Sequence, residues 1–126
     1  MDIYAFLSEH EIEYERHDHP PVFTVEEALR LVPRLPAAKT KNLFVRDRKG
    51  RRHVLAVVGY QKKVDLKALA KLCDMSRLSL GSADRLMRLL GVEPGSVSLL
   101  SLVNDSEAEV EVVVDADLWN AEAFQC

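Results

Sequence analysis

Five consecutive apolar residues, Val54-Leu55-Ala56-Val57-Val58, constrain this chain more than any other feature. The run is rich in β-branched residues and shows no apolar–polar alternation, which marks a strand covered on both faces. His53 to Val58 and Lys41 to Asp47 read as two strands joined at the hairpin-like turn Arg48-Lys49-Gly50. A central strand of this kind has to be packed by other elements on each side.

The flanking sequence offers such elements. Asp2 to His10 reads as an opening helix with Ile3, Phe6 and Leu7 at helical spacing, and Tyr14 to His17 as a short strand. His19-Pro20-Pro21 forces extended backbone, because proline disfavours helix in the residue before it. Thr24-Val25-Glu26-Glu27 has capping-box spacing and predicts a short helix through Ala28 and Leu31 that stops before Pro33. Asp65 caps a helix carrying Leu66, Leu69, Ala70 and Cys73 on one side. Ser82 caps Ala83 to Leu90, with Gly91 as its stop. After the Pro94-Gly95 turn, Ser96 to Val103 and Glu109 to Val114 complete the strands around Asn104-Asp105, with Val110, Val112 and Val114 facing inward. Strands and helices mix without a strict βαβ repeat. The fold class is therefore α/β: a single compact domain over residues 1–126, with a mixed, strongly curved, barrel-like sheet flanked by helices.

Composition narrows the function. A chain of 126 residues, 48% hydrophobic, affords one core without disulfides. Its two cysteines, Cys73 and Cys126, form no C-x-x-C pair, which fits a reducing cytoplasm. The acidic N-terminus lacks a signal-peptide core, and no run approaches the roughly 18 apolar residues of a membrane helix. The formal net charge of −3 argues against a general nucleic-acid binder, and no DNA partner is expected. The charge is uneven, however: basic residues from Lys39 to Lys71 crowd the middle, and Glu107, Glu109, Glu111, Asp115 and Asp117 gather near the end. A local basic face can hold phosphates on an acidic protein, or be no more than a solvated surface.

Searches for common catalytic signatures are negative: no Walker A loop, G-x-G-x-x-G, H-E-x-x-H or G-x-S-x-G is present. His17-Asp18-His19 is the nearest approach to a metal site, but adjacent extended positions point apart. No metal and no cofactor are expected. Cys73 lies on the apolar face of its helix, where packing outweighs nucleophilic chemistry.

A series of short segments in a fixed order remains. They are His19-Pro20-Pro21-Val22-Phe23-Thr24-Val25-Glu26-Glu27-Ala28, then Lys41-Asn42-Leu43-Phe44 followed by Asp47 and Lys49-Gly50. Leu78-Ser79-Leu80-Gly81-Ser82, Arg85-Leu86-Met87 and Leu90-Gly91-Val92 come next, then Pro94-Gly95-Ser96-Val97-Ser98 and Leu102-Val103-Asn104-Asp105. Together they resemble the YbaK / prolyl-tRNA-synthetase-associated editing domain family.

The resemblance implies a free-standing, trans-acting deacylase that removes alanine or cysteine wrongly esterified to proline tRNA. The first segment leans towards the alanine-specific branch. A synthetase pocket sized for proline rejects a smaller amino acid by only about 1–3 kcal/mol, so a second, hydrolytic site supplies the missing discrimination. By resemblance Lys41 is the functional lysine, gripping the phosphate end of the tRNA or stabilising charge; otherwise it is an exposed strand lysine. Gly95, Ser96, Val97 and Ser98 are expected to present amides to the carbonyl oxygen, or to form a plain turn. His19, Phe23, Thr24, Asn42 and Phe44 are expected to shape the amino-acid pocket, although the two phenylalanines suit a core equally well and His19 suits a cap on the proline turn. Lys39, Arg46, Arg52, Lys62 and Lys63 are candidates for phosphate contacts. No protein general base is apparent, and the resemblance points to the tRNA's own ribose hydroxyl.

The expected partners are the acceptor end of proline tRNA and prolyl-tRNA synthetase. Two departures from the family pattern stand out. Leu99, Leu100 and Ser101 occupy places where the family has a proline followed by Phe-Gly, and the usual His-Pro-Leu segment, further strand and closing helix do not follow. These departures suit a second possibility, a non-catalytic tRNA- or synthetase-binding module. A third, a small-molecule-binding domain unrelated to tRNA, needs the basic middle residues scattered in space.

Overall fold

The apolar run becomes an interior strand of a four-stranded sheet in a computed structural model that describes residues 2–20, 26–27, 30 and 37–126. β1 (Thr40–Arg46) and β2 (His53–Gly59) pair antiparallel, with Arg46 opposite His53 and Lys41 opposite Val58. β3 (Ser79–Leu80) adds antiparallel to β1, and β4 (Val110–Val114) adds parallel to β2. The order is β3-β1-β2-β4.

Both faces of this sheet are covered, as an uninterrupted apolar strand requires. On one face Val45, Val54 and Ala56 pack with Leu69, Ala70 and Leu78. This layer includes α2 (Leu66–Leu72), whose N-cap Asp65 accepts from the Lys67 and Ala68 amides. On the other face Phe44, Leu55, Val57 and Val110 pack with Leu86, Leu89, Leu90 and Leu118. That layer is built by α3 (Ala83–Leu90) and α4 (Ala116–Trp119). Ser82 caps α3, and Gly91 ends it in the left-handed conformation at φ 67°. Gly81 has a packing reason of its own: a Cβ there would come within 2.4 Å of the Phe44 ring.

Among the described residues the sheet does not close, so the barrel-like expectation is not borne out. The segment expected as a strand from Ser96 to Val103 folds instead as a 3-10 helix over Leu99–Asn104. Its start is fixed by a capping box in which Ser98 and Ser101 satisfy one another's backbone amide groups. Serine hydroxyls compete in this way with a strand ladder. β3 and β4 are therefore the two ends of the sheet order, and Val112, expected to face inward, is 41% exposed on an edge strand.

The described residues divide into two compact units, within Met1–Pro36 and within Ala37–Cys126. In the first, α1 (Ile3–Glu9) is capped by Asp2, which accepts from the Tyr4 and Ala5 amides, and it buries Leu7. The strand expected at Tyr14 to His17 does not form. Its side chains find local partners instead: Arg16 bonds Asp18 at 3.0 Å and lies over the Tyr4 ring, and His17 meets Glu15 at 3.2 Å. Glu26, Glu27 and Arg30 have helical backbone, while the capping residue expected at Thr24 lies outside the described residues.

Candidate functional site

Asn42 and the Gly95–Ser98 loop meet where β1 begins. Asn42 Nδ2 donates to the Val97 carbonyl at 3.1 Å, tying β1 to the Gly95–Ser98 loop. Side chains alternate along a strand, so Asn42 shares a face with Phe44, and Lys41 projects to the opposite face with Leu43 and Val45. Val97 packs on the Phe44 side. Lys41 therefore stands beside the loop across the sheet plane, and the two do not face each other over a shared cleft. Partly buried, Lys41 has neither ion pair nor side-chain hydrogen bond among the described residues.

Not every loop amide is free to meet an oxyanion. Ser96 N–H donates to the Glu93 carbonyl at 3.0 Å, and Ser98 N–H donates to Ser101 Oγ at 3.1 Å. Those two expected donors are corrected: the turn and the capping box consume them. The Gly95 and Val97 amides have no partner among the described residues. Gly95 sits at φ 91° with open space where a side chain would project, a backbone setting that glycine adopts without strain.

Asn42 carries a second signal. Its Oδ1 is buried and has no hydrogen-bond partner among the described residues. An unsatisfied buried acceptor costs about 1–3 kcal/mol, and such groups stand out in native structures. Nothing in the residue order announces this atom; only the loop packed over it removes it from water.

The remaining expected residues separate clearly. Phe44 is a core residue, 7% exposed and stacked on His53 at a ring-centroid distance of 5.7 Å, so it does not line a pocket. His19 is exposed and its Nδ1 donates to the Pro20 carbonyl at 2.9 Å, the capping role. Phe23 and Thr24 lie outside the described residues.

Among the phosphate candidates, Arg52 is committed elsewhere. It makes a bidentate pair with Glu111 at 3.0 and 2.6 Å and donates to the Cys73 and Asp74 carbonyls. Glu111 is correspondingly the first cause that raises its pKa. Lys62 is held by Asp115 at 2.8 Å and Asp117 at 2.7 Å, which raise its pKa in that order. Arg46 folds back onto the Asp47 and Arg48 carbonyls. Lys39 and Lys63 remain exposed and, among the described residues, without an ion pair.

Burial pushes the Cys73 thiol up, away from nucleophilic character. Among the described residues, no group of three or more His, Cys, Asp or Glu is placed to hold a metal ion. No helix among them is long and apolar enough to cross a membrane.

Comparison with known proteins adds an independent line. The aminoacyl-tRNA editing domain family profile matches residues 19–126. The chain is 41% identical over 116 residues to the prolyl-tRNA editing protein ProX of Acetoanaerobium sticklandii, across 92% of this chain and 71% of that protein. It is 36% identical over 117 residues to prolyl-tRNA synthetase associated domain-containing protein 1 of Danio rerio, across 93% of this chain and 63% of that protein. The Xenopus laevis protein of the same name is 35% identical over 118 residues, across 92% of this chain and 70% of that one. A solved structure from work on epitope backbone grafting onto scaffold proteins superposes with a TM-score of 0.69 at 21% identity, across 94% of this chain and 72% of that one. That last likeness concerns the fold alone.

Proposed function

Because this chain belongs to the aminoacyl-tRNA editing domain family, we propose that it is a trans-editing deacylase that hydrolyses the ester of proline tRNA carrying alanine or cysteine. Alanine is the favoured substrate, on the His19 to Ala28 segment. The observation that carries this reading within the fold is the Asn42–Val97 contact. It sets a buried acceptor without a partner, Asn42 Oδ1, on the loop whose Gly95 and Val97 amides are free.

The chemistry asks little of the protein. Water adds to the ester carbonyl, charge develops on the carbonyl oxygen, and the ribose oxygen leaves with a proton. Val97 N–H, with Gly95 N–H beside it, is the donor assigned to the oxyanion; loss of one such donor typically costs 10²–10³-fold in rate, an order-of-magnitude figure. Asn42 Oδ1 accepts from the substrate's ammonium or a ribose hydroxyl. Lys41, on the opposite face at the same end of β1, grips a phosphate of the tRNA end. A ribose hydroxyl of the tRNA orients the water. Lys39 and Lys63 supply further phosphate contacts, and prolyl-tRNA synthetase in the cytoplasm is the partner that generates the substrate.

A second reading has a specific observation in its favour. With the Ser96 and Ser98 amides consumed and Lys41 projecting from the other face, the same surface suits a module that binds tRNA or a synthetase without hydrolysing the ester. Proline tRNA charged with alanine or cysteine separates the two. Ester loss that disappears in Lys41→Ala upholds the deacylase; salt-sensitive binding with the ester intact upholds the module and ends the first proposal.

A further inference from the structure

A second polar site lies at the other end of the same sheet face. Arg46 opposite His53 closes the hairpin end of β1 and β2, five residues along from Lys41, or roughly 17 Å at the rise of a strand. There an open concavity is lined by Gly50, Arg51, His53, Arg88, Leu89 and Glu109. Its floor is built. His53, 4% exposed, stacks on Phe44 and lies with its Nε2 3.0 Å from Arg85 Nη1. Arginine only donates, so this Nε2 is an acceptor. Arg85 Nη1 also donates to the Gly50 carbonyl at 2.9 Å, and the guanidinium lies so close over Gly50 that a Cβ there would come within 2.5 Å of it. Arg85 is thus spent on structure.

Arg51 and Arg88 are not. Both are exposed at the rim, from the hairpin turn and from the last turn of α3, and neither has a hydrogen bond from its side chain or an ion pair among the described residues. Burial, followed by the charges of Arg85 and Arg88, lowers the His53 pKa, which agrees with Arg88 lying near the floor. Of the acids nearby, Asp47 gives one carboxylate oxygen to the Arg51 and Arg52 amides and so builds the turn. Glu109 is the carboxylate that lines the concavity. Exposed Arg48 and Lys49 extend the positive surface along the hairpin tip.

We propose that this concavity holds a backbone phosphate of RNA between Arg51 and Arg88, as a second point of attachment remote from the candidate ester site. A guanidinium recognises phosphate oxygens through its fork of N–H donors, and the concavity is lined by two that have no other partner among the described residues. The concavity is open and continuous with the charged hairpin tip, which suits a polymer that runs past it better than an enclosed metabolite. In the setting of the proposed deacylase, the ligand is the stem of the tRNA whose charged end occupies the Asn42 end of the sheet.

Binding of a fluorescently labelled, uncharged RNA hairpin carrying a proline-tRNA acceptor stem, titrated over a series of KCl concentrations, tests this. Replacing both arginines (Arg51→Ala with Arg88→Ala) is expected to weaken binding about tenfold or more at low salt and to lower the slope of log affinity against log salt by about one. Glu109→Gln is expected to tighten binding. An unchanged slope in the double variant overturns the proposal, as does complete displacement of the RNA by a few equivalents of inorganic phosphate. Far-UV circular dichroism checks that the double variant is folded, and Lys71→Ala, also basic and exposed but on α2 across the sheet, controls for a mere change in net charge. Since the RNA carries no ester, this result and the fate of the deacylase reading are decided separately.

Discussion

The two ends of the β1–β2 pair differ in how fully their polar groups are satisfied. At the hairpin end, the Asp47 carboxylate takes the Arg51 and Arg52 amides, and its backbone bonds Arg52 and Gly50. Arg46 caps two carbonyls, and His53 is clamped between Phe44 and Arg85. Where β1 begins, Asn42 Oδ1 is buried, and among the described residues it has no partner, two loop amides are unused and Lys41 is unpaired. Folding alone gains nothing from the second arrangement. Unspent donors and acceptors held on a rigid strand are what a substrate site requires, and natural proteins break local rules where they work. At the hairpin end the interior is closed, and the side chains without partners among the described residues are surface cations: Arg51 and Arg88 at the rim, Arg48 and Lys49 at the tip.

The largest expected effect comes from breaking the closed end. Phe44→Ala removes a core ring stacked on His53 and packed on Gly81, and is expected to cost about 3–5 kcal/mol of stability, measured from the urea midpoint at constant m. A loss below about 1 kcal/mol would mean that the ring is not the core element described.

Asn42→Leu sharpens the contrast from the other end. It deletes the bond to Val97, worth about 1 kcal/mol, together with the unsatisfied acceptor, so stability is expected to change by no more than about 1 kcal/mol. Deacylation of charged tRNA is expected to fall tenfold or more. Stability and activity falling together would assign Asn42 a purely structural role.

The smallest effect is a pH dependence. His53 has a depressed pKa because it is buried, and then because Arg85 and Arg88 lie near it. The unfolded chain therefore takes up this proton first, so stability is complete above about pH 6.5 and declines as pH falls below it. Thermal melts from about one unit above to about one and a half units below the unperturbed histidine value are expected to show a decline that His53→Gln removes. Asp47 and Asp115 also have depressed pKa values, from the Arg52 amide and from Lys62 first respectively, and their contribution is lost only lower, through the carboxylate range. An identical pH profile in the variant would show that the clamp on His53 does not persist in solution.

Much of this was legible in the order of residues. The unbroken apolar run required a strand covered on both faces, Asp65 and Ser82 marked helix starts because their side chains satisfy free amides, and Gly91 marked a stop because it tolerates positive φ. The segment order around Lys41-Asn42 and Pro94-Gly95 also pointed to the family. Tertiary structure decided the rest. Ser96 to Val103 has the apolar content of a strand, yet the Ser98–Ser101 capping box and the packing of Leu99 and Leu102 on the core made it a 3-10 helix, which consumed the expected Ser98 donor, while the turn before it took the Ser96 amide. Arg52 and Lys62 looked like free cations because their acidic partners, Glu111, Asp115 and Asp117, lie more than fifty positions away in the chain. Local chemistry sets backbone conformation within a few residues, and hydrophobic period sets which face is buried. Which charges are paired, and which buried atom is left without a partner, depend on contacts between distant segments that only the folded chain creates.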